Sequence, residues 1–321
     1  LETSLIGTIL NPNVSSVLIV GYDADSTENF VEKVKRLTRK RIEAVYVLEE
    51  GTIEAIRQGV KLALDMVLEN SERRREPIEW KDLVIGVKCG GSDTTSGIVS
   101  NPLVGMVVDK IIDKGGTVIF SETTELIGAE HVIAKRAIND EVRQKLLNAV
   151  KNNELLAIQN GVDLLGTNPT PDNIKGGIST IEEKSLGAIL KTGTRPIKNV
   201  LTYGERPSEP GLYFLDYPSA ATDVLTALMA TGAQLILFST GNGNPVGNPI
   251  APVIKVTGNP RTAKIKRDHI DFDASEVLTG RLDMKDAAER LFSYVIKIIN
   301  GKLTKAEILQ HDEYNPIAVG L

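Results

Sequence analysis

Between residues 16 and 120, short β-branched runs bounded by turn formers alternate with longer stretches of helical period, and this pattern leaves little besides parallel βαβ units. Strands are predicted at residues 16–20, 44–48, 83–87 and 117–120, with helices at 27–40, 52–73 and 102–114. Pro102 suits a first helical turn, where its missing N–H would be an orphan in any case, and Asn101 is predicted to cap that helix. A further helix is expected at 140–158. Residues 163–180 are so rich in Gly, Pro, Asn and Thr that they read as a long loop. Alternation then resumes, with strands near 199–202, 212–215 and 234–239, and helices at 222–230, 283–300 and 305–309. The fold expected is α/β, two lobes with mainly parallel, Rossmann-like sheets flanked by helices. One lobe is placed at residues 1–160 and the other at 161–321.

Composition narrows the function classes. A net charge of -5 gives no basic footprint for a phosphate backbone, so nucleic acid is not an expected partner. The Arg73–Arg75 run, flanked by Glu72 and Glu76, reads as a solvated helix end. No apolar run approaches the roughly 20 residues that span a bilayer, and no signal peptide opens the chain, so a cytoplasmic protein with no membrane partner is expected. A single cysteine rules out an internal disulfide and any multi-thiolate cluster supplied by this chain alone. The start at Leu1, directly on an amphipathic stretch, points to a truncated start or a missing upstream segment.

In a parallel sheet, ligands bind outside the carboxyl ends of the strands, so the residues just after each strand are the candidates. After the third strand comes KCGGSDTTSG, residues 88–97. Gly90 and Gly91 let backbone N–H groups approach a ligand, while Ser92, Asp93 and Ser96 add hydroxyls and a carboxylate suited to a polyhydroxylated anion. No Gly-Lys-Ser/Thr ends the run, so it is not a Walker A loop, and a tight glycine turn is the competing reading. Cys89 is open to three readings: a metal ligand, a nucleophile or a small buried side chain. Glu122 and Glu125 follow the fourth strand, with Glu130 and His131 beyond, and could converge on a divalent cation. The loop from Thr167 to Gly177 contains Asn168, Thr170 and Asn173 and leads to Lys184. Ser179 or Thr180 is expected to cap the helix after it. The run after strand 234–239 is spaced Gly-x-Gly-x-x-x-Gly and contains Pro245, which disfavours a dinucleotide fingerprint and leaves binding of substrate by backbone amides.

Four long blocks occur in one order: VKCGGSDTTSGIVSNPLVG at 87–105, FSETTELIGAEH at 120–131, NPTPDNIKGGISTIEEKSLGAILKTG at 168–193 and FSTGNGNPVGNPIAPVIKV at 238–256. Together they resemble the altronate/galactarate dehydratase family, and the likeness extends from about residue 5 to the end. The tail HDEYNPIAV resembles the galactarate type and GAEH the altronate type. The resemblance implies removal of water from an aldonate or aldarate, such as altronate or galactarate, to give a 2-keto-3-deoxy acid through an enediolate. It also implies a divalent metal, Fe(II) or Mn(II). Catalytic roles are implied for Lys88, Cys89, Asp93, Lys184 and His311, and metal binding for Asp93 and Glu122. Substrate contacts are implied for Gly90, Gly91, Ser92, Ser96, Asn168, Thr170, Asn173, Thr240, Gly241 and Lys255. The superfamily includes a sulfolactate sulfo-lyase, so C–S cleavage is the alternative, and a non-catalytic substrate-binding subunit a third. A small-molecule sugar acid, a separate small N-terminal-type subunit and a homo-oligomer are the partners expected. Two departures bear on metal binding. Where altronate-type members have Gly-Cys-Glu this chain has Tyr22-Asp23-Ala24-Asp25, and where they have Asn-Cys-Gly it has Asp273-Ala274-Ser275.

Overall fold

The computed structural model describes residues 1–164, 168–218 and 221–316. The chain opens with α1 (Glu2–Leu10) and then builds a small parallel pair, β1 (Ser16–Gly21) and β2 (Arg41–Tyr46), flanked by α2 (Ala24–Lys35) and α3 (Thr52–Ser71). Its core is slight: Ile9, Val31, Val34 and Ile42 are the buried members. Asp23 starts α2 by accepting from Ser26 N at 2.8 Å, the usual service of an N-terminal cap.

The main sheet contains β3 (Val84–Cys89), β4 (Thr117–Phe120), β5 (Ile197–Leu201), β6 (Leu212–Leu215), β7 (Leu235–Ser239), β8 (Val253–Thr257) and β9 (Phe272–Asp273). Among the described residues these seven strands are all parallel, in the order β5-β6-β4-β3-β7-β8-β9. The expected parallel α/β architecture is therefore present, but the sheets do not divide near residue 160. Strands from both sides of that point share one sheet, and the break falls between Tyr46 and Val84. Residues 168–177 lie over the sheet's carboxyl edge, bonded to the loop after β3, rather than linking two lobes.

Fully buried strands explain the near-continuous apolar runs, because helices cover both faces. On one face α4 (Asn101–Asp113), α5 (Asp140–Gln159) and α8 (Met284–Ile299) supply Leu103, Val107, Leu146, Leu291 and Val295. On the other lies α7 (Ala221–Ala230), with α1 packed so closely on it that a Cβ at Gly7 would fall 2.4 Å from Ala230 O. α6 (Ile181–Ala188) lies near the carboxyl edge. Asn101 does not cap α4: a π-helical turn, Ser96–Ser100, runs straight into the helix, and Asn101 Nδ2 donates instead to Gly187 O at 2.9 Å.

From β3 the chain steps to β4 and on to β5 and β6 on one side, then returns past β3 to β7 on the other. That reversal creates a crevice at the carboxyl ends of β3 and β7, where open α/β sheets bind ligands.

Candidate active site

β3 ends in Lys88 and Cys89, β4 is followed by Glu122 and Glu125, and a 3₁₀ turn after α6 (Ile189–Thr192) brings in Lys191. All five side chains are buried. Lys88 Nζ donates to Glu122 Oε1 at 2.5 Å, and Cys89 N to Glu122 Oε2 at 3.0 Å. Lys191 Nζ reaches Glu122 Oε2 at 2.9 Å, Glu125 Oε2 at 3.1 Å and Cys89 Sγ at 3.2 Å, while the thiol donates to Glu125 Oε2 at 2.9 Å. Lys184 stands 3.6 Å from Glu125 Oε1 and donates to Asn168 Oδ1 at 2.5 Å. Glu122 sits at φ 80°, ψ 67°, a left-handed conformation that costs a non-glycine residue on the order of 1 kcal/mol and places its carboxylate between two ammonium groups.

Electrostatics follow from burial and this pairing. Burial pushes the Cys89 thiol well up, reinforced by the Glu125 charge, so it is held as the protonated donor. Burial also works against the Glu125 carboxylate, but Lys191, Lys184 and Lys88 outweigh it and keep the carboxyl well below its ordinary range. For Lys191, burial opposes the charge while Cys89, Glu122 and Glu125 favour it and raise the ammonium well above the usual value.

A thiol and two carboxylates gather donor atoms within 4.8 Å of one another, a set of the kind that can hold a divalent ion once the thiol is deprotonated. Lys191 occupies the middle of that set and would compete with an ion for the position. The expected pairing of Asp93 with Glu122 is not made. Asp93 accepts from Thr95 Oγ1 at 2.6 Å, Ser96 N at 3.0 Å and Asn259 Nδ2 at 2.6 Å, and serves the loop rather than the Cys89 cluster. His131 is exposed on a short helix and is not part of this group.

Several other expected residues shape the crevice. Gly90 N donates to Ser239 O, and Asn242 N to Gly91 O, tying the loops after β3 and β7 together. A Cβ at Gly241 would fall 2.1 Å from Asp93 Oδ1, so glycine is needed there. Thr240 Oγ1 accepts from Gly243 N and Asn244 N, closing its own turn. Thr170 caps the short helix Pro171–Lys175, from which Asn173 Nδ2 donates to Ser92 O at 2.8 Å. Leu165, Gly166 and Thr167 of that long loop, and Ile317, Ala318 and Val319 of the tail, lie outside the described residues. Thr180 caps α6 as expected, accepting from Glu183 N.

A groove of about 270 Å³ runs between residues 92–101 and α6, lined by Ser92, Asp93, Ser96, Asn101 and Lys184 among others. Ser92 Oγ and Asn101 Oδ1 are buried there without hydrogen-bond partners, groups ready for a ligand's hydroxyls. Larger clefts, about 630 and 600 Å³, open at the opposite edge of the sheet around Pro12, Arg75 and Leu83. Lys255 and His311 stand apart from the Cys89 cluster, beneath the tail. Lys191 carries no mark in the sequence, because nothing in LKTG distinguishes a buried lysine from a solvated one.

In class, this is a parallel α/β protein with a buried acid–lysine–thiol constellation at its switch point, beside a polar groove. Residues 80–321 match the family model described as D-galactarate/Altronate dehydratase, C-terminal, and residues 1–71 match D-galactarate dehydratase/Altronate hydrolase, second domain. The chain belongs to the D-galactarate/altronate dehydratase family. The (2R)-sulfolactate sulfo-lyase subunit beta of Chromohalobacter salexigens is 40% identical over 313 residues, covering 97% of this chain and 80% of that one. Altronate dehydratase of Bacillus subtilis is 33% identical over 305 residues, 94% of this chain and 61% of its own. Galactarate dehydratase (L-threo-forming) of Escherichia coli is 31% identical over 302 residues, 91% and 58% respectively. The chain thus spans about three fifths of the length of those dehydratases. The matched family models meet between residues 71 and 80, where the two sheets also part. No helix among the described residues is long and apolar enough to cross a membrane.

Proposed function

We propose that this chain is a lyase that eliminates a β-leaving group from a 2-hydroxy acid through an enediolate. The observation that carries the reading is the buried Lys88–Glu122–Lys191–Glu125–Cys89 cluster, joined through Lys184 to the groove. Loss of the α-proton leaves an electron pair that becomes a C=C bond as the β-substituent departs, and the resulting enol tautomerises to the 2-keto acid. Charge building on the substrate carboxylate calls for fixed cations and donors, a role that suits Lys184 and the backbone amides of residues 91 and 92. Lys88 and Lys191 compensate Glu122 and Glu125, so a proton can move along the carboxylate–lysine chain without stranding a buried charge. Cys89, held protonated, acts as a hydrogen-bond donor and packing group. A divalent ion, if held, would sit on Cys89, Glu122 and Glu125 with Lys191 displaced, and would supply Lewis-acid stabilisation of the enediolate.

Water as leaving group makes the enzyme a hydro-lyase for altronate, galactarate or a similar sugar acid. A second reading is sulfite elimination from a sulfolactate-type acid, favoured by the sulfo-lyase subunit's higher identity and fuller coverage. That relative's designation as a subunit beta also supports a separate small subunit as partner.

The test is a screen of aldonates, aldarates and sulfolactate, read as 2-keto acid and as sulfite, with and without Fe(II) or Mn(II). Turnover by the wild type with a loss of about 10³-fold in kcat/KM for Lys184→Met is the expected result. No product from any acid would remove the lyase reading in favour of a binding subunit. Full turnover after chelation, with the metal verified absent, would remove the ion.

A further inference from the structure

On the sheet face that carries α7, a second polar group is left without partners. Lys255 lies in the middle of β8, fully buried, and its ammonium makes no hydrogen bond. His311 Nδ1 and Asn248 Nδ2 are likewise buried and unbonded. His311 comes from the C-terminal segment 311–316, which is pressed so tightly over the loop before β8 that a Cβ at Gly247 would meet His311 O at 1.9 Å. The segment is anchored by Gly247 N to Glu313 Oε2 at 2.8 Å, Asn315 Nδ2 to Asp223 Oδ1 at 2.6 Å and Tyr314 OH to Thr8 Oγ1 at 2.8 Å.

An unpaired buried ammonium is strongly unfavourable, and natural interiors seldom retain one without use. The nearby carboxylates offset it only in part. Asp271 accepts the backbone N–H groups of Lys255 and Lys305, each at 2.9 Å, and Glu313 accepts Gly247 N, with its other oxygen 3.9 Å from His311 Nδ1. His269, whose ring centroid is 5.4 Å from that of His311, completes the surroundings. The strand register fixes where this group lies relative to the reaction cluster. Lys88 pairs with Phe238, and Phe238 with Lys255, so the two lysines share one face two strand spacings apart, roughly 10 Å between backbones. Lys88 is engaged by Glu122, while Lys255 is free.

We propose that Lys255, His311 and Asn248 form an anion subsite holding a second carboxylate of the substrate, remote from the carbon that loses its proton. The assignment rests on the lyase reading above and narrows it to acids with a carboxylate at each end. His311 then binds substrate rather than moving a proton.

Two arms test it. Isothermal titration of the whole chain with inorganic sulfate should show binding that weakens by about 10-fold or more in Lys255→Met and is partly restored in Lys255→Arg, as expected for loss of a charge-assisted contact. In turnover assays, the ratio of kcat/KM for galactarate, with a carboxylate at each end, to that for one-carboxylate altronate should fall about 30-fold in Lys255→Met, chiefly through KM. The melting temperature of each variant, equal to or above that of the wild type, establishes folding. Unchanged sulfate affinity, or an equal loss of kcat on both classes of acid, overturns the subsite. If the wild type turns over none of these acids the lyase reading fails, and the sulfate arm still decides the subsite.

Discussion

Lys191 and Lys255 are both fully buried lysines, and their surroundings give them opposite consequences. Lys191 touches two carboxylates and a thiol. Replacing it with Met strands Glu122 and Glu125 with fewer counter-charges, and Lys191→Met should lower unfolding stability by about 3 kcal/mol in urea titration. A loss below about 0.5 kcal/mol would mean the cluster reorganises at no cost. For Lys255, burial lowers the ammonium to about 8 from 10.5, while Asp271 and Glu313 act in the opposite direction. Between those two values the unfolded chain binds more protons than the folded one, so this residue makes stability rise with pH across that window. Lys255→Met should therefore be more stable than the wild type at about pH 7, by on the order of 2 kcal/mol, with the advantage fading by about pH 10.5. A pH-independent difference in the urea midpoints would count against a buried, titrating ammonium.

At the scale of elements, the site depends on loops held against one another rather than on any one motif. Asn173 carries the short helix Pro171–Lys175 onto Ser92, and Asn259 and Gly241 lock Asp93 from the β8 and β7 loops. Gly241→Ala would force a methyl group into the Asp93 carboxylate. A loss of about 2 kcal/mol is expected, together with reduced turnover as the 88–97 loop shifts. Unaltered stability and kinetics would show that the carboxylate moves aside freely. The boundaries of β4 and β6 match the sequence expectation residue for residue, since each is a short apolar run between turn formers. β8 went unpredicted, because Lys255 stands in the middle of its apolar run and a lysine there argues against a buried strand. The feature that hid the strand is the one that gives it chemical interest.

For the whole molecule, α3 is unusual in being apolar on both sides. Ala55, Gly59 and Met66 face its own lobe, while Ile53, Ile56, Val60, Leu64 and Val67, at helical spacing, remain 57–81% exposed on the outer face. At roughly 60–120 Å² per side chain, the stripe offers on the order of 400 Å² per subunit, so two copies packed through it alone would bury about 800 Å², below the ~1,200 Å² of a stable interface, and a dimer here would need neighbouring surface as well. The homo-oligomer expected from the sequence thus has a candidate surface. Val60→Glu should convert a dimer into a monomer in light scattering, and a wild type that is already monomeric would dismiss the surface.

What the sequence determined by itself was the local and the repetitive: strand and helix periods, parallel α/β class, the KCGGSD and SETTE segments at strand ends and, through its ordered blocks, the family. Those properties depend on neighbours along the chain. Only tertiary structure decided that strands from both halves share one sheet, that Glu125 and Lys191 rather than Asp93 surround Cys89 and Glu122, and that Lys255 is buried without a partner. Each depends on which distant segments meet, and a lysine or carboxylate carries no local mark of whether it will face water or an opposite charge.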